Sequence, residues 1–148
     1  MKNTVLNIIL ADDDRDDVFL FKNAIEELAL SIKLATVHDG DKLMKRLSQK
    51  AMELPDAIFL DLNMPLKSGH ECLNEIKESE ELNHLPVIIF STSYQQNIVD
   101  DLYENGAHYY IQKPSSFEGL QNVIKRALFL ITESTNIQPS KEEFVLTI

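Results

Sequence analysis

Short apolar runs rich in β-branched residues alternate along this chain with longer stretches in which apolar residues recur every three to four positions. The runs are Val5 to Ala11, Ser31 to Val37, Ala57 to Asp61, Val87 to Ser91 and His108 to Gln112, each of a length suited to a buried strand. The intervening stretches read as amphipathic helices. The first carries Val18, Phe21, Ile25 and Leu28 on one stripe, and the last carries Leu120, Ile124, Ala127 and Ile131. Asp41 to Lys50, Gly69 to Glu78 and Gln95 to Asn105 complete the set. Five strands alternating with five helices predict an α/β fold, a parallel sheet covered by helices on its faces.

Local signals at the element ends agree with this register. Ser68 with Glu71, and Ser115 with Glu118, have the spacing of a capping box, and Gly106 follows its helix where a left-handed residue is wanted. After Ile131 the pattern stops. The polar stretch "TESTNIQPSKEE" and the closing "FVLTI" make residues 132–148 a tail, expected to be mostly flexible. The other reading is that Phe144 to Ile148 adds a strand to a sheet edge, its own or a partner's.

Composition narrows the function classes. The 148 residues are 44% hydrophobic and 26% charged, which suits one ordinary globular domain. The longest apolar runs fall far short of the roughly 20 residues of a membrane helix, and no signal-peptide pattern opens the chain, so a cytoplasmic protein without membrane contact is expected. The single cysteine, Cys72, rules out an internal disulfide framework and reads as a small core residue. A net charge of −10 opposes the counterion release that drives nucleic-acid binding, so no direct nucleic-acid partner is expected. The histidines at 38, 70, 84 and 108 share no helical face or metal-ligand spacing, and surface or packing roles suit them.

Chemistry concentrates where the strands end. In an open parallel sheet, ligands bind outside the carboxyl ends of the strands. Here the first run ends in Asp12 and Asp13, the third in Asp61, the fourth in Ser91, and the fifth leads into Lys113. Carboxylates this close repel by about 4 kcal/mol per pair at an effective dielectric near 20, so a positive charge belongs among them. A hard divalent cation such as Mg²⁺, which takes oxygen ligands and keeps several waters, fits that need. Lys113 suits a phosphoryl oxygen.

"IILADDD", "IFLDLNMPLKSG", "VIIFSTS" and "HYYIQKP", in that order, resemble the four signatures of the receiver domain of bacterial two-component response regulators. The separations match as well, with 30 residues from Asp61 to Ser91 and 22 more to Lys113. The likeness covers about Val5 to Ile131, so a receiver domain is expected over residues 1–131. It implies a flavodoxin-like (βα)5 three-layer sandwich whose five-stranded parallel sheet runs in the order 2-1-3-4-5. It also implies that Asp61 is the phosphoacceptor, a carboxylate nucleophile phosphorylated from a phosphohistidine. Asp13, Asp61 and the backbone carbonyl of Asn63 would ligate Mg²⁺, with Asp12 acting through water. Lys113 would pair with the phosphoryl oxygens, and the Ser91 hydroxyl would donate to one of them. Ser91 and the aromatic Tyr110 would form the switch. Pro114 would follow Lys113 through a cis bond, and Pro65 with Gly69 would match the loop that bends away from the acceptor.

The resemblance further implies a single-domain phosphoprotein, since the chain is short for a DNA-binding or catalytic output module. Its partners would be a sensor histidine kinase or histidine phosphotransfer protein, and a downstream protein on the face of the fourth helix, fifth strand and fifth helix. A homodimer is also allowed. The chain would not be an enzyme beyond promoting its own phosphorylation and dephosphorylation. A phosphorelay intermediate is the alternative. A Mg²⁺-dependent aspartyl phosphohydrolase is disfavoured because Asn63 stands where such enzymes want a second acid.

The aspartates of "LADDDRDD" therefore divide. Asp12 and Asp13 are site residues, Asp14 suits an N-cap, and Asp16 and Asp17 suit the first turn, where they complement the helix dipole by about 0.3–1 kcal/mol each. A calcium loop is excluded: counting from Asp12, Asp17 stands at the sixth position instead of glycine and Asn23 at the twelfth instead of glutamate.

Overall fold

A computed structural model describes residues 5–133 and 137–147. Residues 1–4 of the expected domain, 134–136 of the expected tail and Ile148 lie outside the described residues. The strands are β1 (Leu6–Ala11), β2 (Ile32–Val37), β3 (Ala57–Leu60), β4 (Val87–Ser91), β5 (Tyr109–Gln112) and β6 (Val145–Leu146). The α-helices are α1 (Arg15–Glu27), α2 (Gly40–Leu47), α3 (Gly69–Glu78), α4 (Gln96–Glu104) and α5 (Phe117–Glu133), and a short 3-10 turn spans Lys141–Glu143.

All pairings are parallel, and the sheet order is β2-β1-β3-β4-β5-β6. The fold is flavodoxin-like. The expected order of five strands is kept, but the sheet gains a sixth at its β5 edge. Two residues of β6 are too short for any periodicity to register, and they pair because Phe144 and Leu146 are buried.

Side chains alternate between two cores because successive residues of a strand face opposite ways. Ile8, Leu10, Phe59, Ile88, Phe90 and Ile111 meet α1 and α5 on one face, where Phe21 packs edge-on against Phe59 and Phe90 at 5.0 and 5.5 Å. On the other face Ile9, Ile58, Leu60 and Ile89 meet α2, α3 and α4. Burial on both faces is why the central strands read as unbroken apolar runs. No helix among the described residues is long and apolar enough to cross a membrane.

The caps fix where the site loops begin. Asp14 accepts from the amides of Asp16 and Asp17, and Asp39 accepts from that of Lys42 at the head of α2. Ser68 and Glu71 form the expected reciprocal box. Gly106 has φ +99°, the left-handed conformation its position called for. At α5 the cap sits one residue later than expected: Ser116, not Ser115, accepts from the amide of Gly119 at 3.0 Å. The helix starts at Phe117, which places Gly119 at the third helical position.

Candidate functional site

Strand order brings the chemistry together. Because β2 is added on one side of β1 and β3 on the other, the strand order reverses between parallel β1 and β3, and a crevice opens beyond their carboxyl ends. The register pairs Ala11 with Leu60, so Asp12 and Asp61 leave adjacent strands side by side, and the Asp61 amide donates to the Ala11 carbonyl at 2.9 Å. One strand further on, the Lys113 amide donates to the Ser91 carbonyl at 2.7 Å, which anchors the β5–α5 segment beside the same crevice.

Asp12, Asp13 and Asp61 each offer a carboxylate oxygen within 4.8 Å of the others. Asp12 is fully buried, Asp61 is 6% exposed, and Asp13 opens to solvent. Lys113 Nζ lies 2.8 Å from Asp12 Oδ2 and 4.0 Å from Asp61 Oδ2. The other Asp12 oxygen accepts from the Asp14 amide at 3.0 Å, so both of its oxygens are engaged. Asn63 is exposed two residues beyond Asp61.

The electrostatics follow from this crowding. Burial pushes the Asp61 carboxyl up to about 7, Lys113 pulls it down, Asp12 pushes it up again, and the backbone amides of Asn63 and Leu62 lower it. Burial works against the Lys113 ammonium, yet hydrogen bonds to Asp12 and Asp17 outweigh it and hold its pKa above the ordinary lysine value.

Asp17 is the residue that sequence reading missed. Its carboxylate lies 2.7 Å from Lys113 Nζ, so a side chain expected only to complement the helix dipole also pairs with the site lysine. Its first-turn position gave a sufficient local explanation, and its partner Lys113 stands 96 residues away, so no local signal marked the pairing.

Ser91 is fully buried at the end of β4, where its hydroxyl lies 3.2 Å from that of Ser93 and accepts from the Ser93 amide at 3.3 Å. Tyr110 is buried one strand over and donates its hydroxyl to the Ser93 carbonyl. Burial raises the Tyr110 pKa. The expected cis bond before Pro114 is absent: the described residues contain no cis peptide, and Lys113 reaches the carboxylates across a trans bond. Cys72 is buried, and burial pushes its thiol up to about 12, which suits a packing residue rather than a nucleophile.

Gly69 holds the loop behind the acceptor. A Cβ there would lie 2.4 Å from the Asp61 carbonyl oxygen and 2.8 Å from Leu62 Cα, both backbone atoms that cannot swing aside. Gly69→Ala should therefore destabilise the protein by about 2 kcal/mol, read as a lower urea midpoint. An unchanged midpoint would show that the loop moves freely.

The sequence pattern of the response regulator receiver domain matches residues 8–125. The chain belongs to that family. This receiver domain is 31% identical over 121 residues to the probable methanogenesis regulatory protein FilR2 of Methanothrix harundinacea, an alignment covering 80% of this chain and 78% of that one. It is 30% identical over 122 residues to the response regulator Rcp1 of Synechocystis sp., covering 80% and 83%. Among solved structures, the phosphorylated cyanobacterial phytochrome response regulator RcpA superposes with a TM-score of 0.80 at 29% identity, covering 88% of this chain and 96% of that one. The Mn²⁺-bound form of Rcp1 gives 0.78 at 27%, covering 91% and 99%. The receiver domain is thus a signalling module of two-component phosphorelay systems.

Proposed function

We propose that this receiver domain accepts a phosphoryl group on Asp61, in a Mg²⁺-dependent reaction, and signals through phosphorylation-dependent protein contacts. The observation that carries the reading is the cluster itself: an almost buried carboxylate 4.0 Å from a lysine ammonium and within 4.8 Å of two further carboxylates. Phosphoryl transfer asks the protein for positioning and charge compensation more than for covalent help.

The donor set suits a hard divalent ion, being all oxygen and carrying more negative charge than one lysine offsets. Asp13, Asp61 and the Asn63 carbonyl would hold the ion, with Asp12 reaching it through water because both Asp12 oxygens are already engaged. Such an ion would supply the missing positive charge beside the acceptor. Mn²⁺ in the related Rcp1 structure supports this reading.

Within the chain, Lys113 draws Asp61 toward its ionised, nucleophilic form and stands ready for phosphoryl oxygens. Ser91 and Tyr110 form the switch, since both meet at Ser93. The donor would be a sensor histidine kinase or a histidine phosphotransfer protein, and a downstream protein would read the α4–β5–α5 face.

Incubation with Mg²⁺ and acetyl phosphate, followed by intact-mass measurement, tests the reading. One labile phosphoryl group should appear, and Asp61→Asn should show none. Continuous turnover of the donor would mark a hydrolase instead, and no uptake would mark a receiver fold that works unphosphorylated.

A further inference from the structure

The face expected to meet a downstream protein already carries an occupant. Residues 137–147 lie across α4, β5 and α5. Gln138 Nε2 donates to the carbonyls of Tyr103 and Ala107, each at 2.7 Å, and the Tyr103 hydroxyl donates to the Pro139 carbonyl at 2.8 Å. Lys141 lies 3.5 Å from Asp100 on α4. The Tyr110 amide donates to the Phe144 carbonyl at 3.0 Å, β6 extends the sheet, and Arg126 of α5 donates to the Thr147 carbonyl at 3.2 Å.

The arm is wired to the switch through rings. Tyr94, in the β4–α4 segment, meets Tyr110 at 5.8 Å, Tyr110 meets Phe144 at 6.5 Å, and Phe144 meets Tyr103 at 5.1 Å. Tyr110 stands between two demands. Its hydroxyl is held by Ser93, which is itself held by Ser91, and its ring supports the buried Phe144. A cavity of about 540 Å³, lined by Tyr94, Gln112, Lys113, Val145, Leu146 and Thr147, separates part of the arm from the β4–α4 segment and borders the Tyr94 ring.

We infer that residues 137–147 form a self-docked arm that covers the α4–β5–α5 face and is released when a phosphoryl group on Asp61 draws Ser91 away from Ser93. The inference rests on the phosphoacceptor reading above. Loss of the Ser91 contacts frees the Ser93 segment, and the Tyr110 hydroxyl loses its fixed acceptor. The ring then shifts and Phe144 loses its seat, so the energy of seating the arm becomes the quantity that phosphorylation changes. The occupant of the face in the resting state is this chain's own segment, and a partner binds only where the arm has left.

Hydrogen exchange by mass spectrometry on the full chain tests this, with Mg²⁺ alone and with Mg²⁺ plus beryllium fluoride as a phosphoryl mimic. Amides of Tyr110 and of residues 144–147 should exchange about tenfold faster with the mimic, while those of β1 stay unchanged. Phe144→Ala should give fast exchange in the arm under both conditions while still taking up one phosphoryl group from acetyl phosphate. Tyr110→Phe, which keeps the ring, should lose most of the difference between the two conditions. Phosphoryl uptake with equal or slower arm exchange overturns the coupling alone. Failure of wild-type uptake overturns the phosphoacceptor reading and the coupling with it.

Discussion

Lys113→Met will destabilise the metal-free protein by about 3–5 kcal/mol at neutral pH, because it leaves the buried Asp12 carboxylate without its partner. Methionine nearly preserves the volume of the stem, so the loss reports charge rather than packing. The lysine's folded pKa lies above its unfolded value. Its contribution is therefore fully present below the ordinary lysine range and lost only as pH rises through the raised folded value, so a neutral measurement captures all of it. Urea unfolding in chelator gives the number. Mg²⁺ should narrow the gap between variant and wild type, since an ion bound only by the folded state restores positive charge. The double variant Lys113→Met with Asp12→Asn should lose less than the single one, because the stranded charge is gone. A single-variant loss under about 1 kcal/mol would place the cluster in the class of solvated surface pairs.

The features legible in the sequence are those set by short-range rules or by burial on both faces. Val87 to Ser91 announced β4 because every residue in it is buried. Ser68 with Glu71 announced the head of α3 because a capping box is local. The convergence of Asp12, Asp13, Asp61 and Lys113 was visible because a parallel sheet places all its carboxyl ends on one rim. What escaped depends on tertiary placement. Asp17 had a complete local explanation in the helix dipole, and only the arrival of Lys113 from 96 residues away gives it a second role. The β6 strand was read only as the alternative to a flexible tail, because its two residues follow a polar stretch and owe their order to Phe144 reaching Tyr103 and Tyr110. The shifted cap at Ser116 was a choice between adjacent serines, which spacing alone does not decide.

Asp61→Asn should stabilise the metal-free protein by about 3 kcal/mol at about pH 8. Burial, with repulsion from Asp12, pushes the wild-type carboxyl up to about 7 in the folded chain, well above the ordinary aspartate value of 3.8. A carboxyl whose folded pKa is raised contributes stability that is fully present below the unfolded value and is lost as pH rises through the folded one. Wild type should thus weaken between about pH 4 and 7 relative to the variant, which has no proton to lose at this position. The charge would cost at most roughly 4 kcal/mol, and relaxation of the partly open crevice reduces it. Guanidinium or thermal unfolding across that range, in chelator, should show the two proteins nearly equal at the acid end and diverging toward neutrality. Added Mg²⁺ should favour wild type, because the cation is attracted to the same charge that burial penalises. A variant no more stable than wild type at about pH 8 would mean that the Asp61 charge is already fully compensated by Lys113. The pocket would then have no electrostatic need for a metal ion.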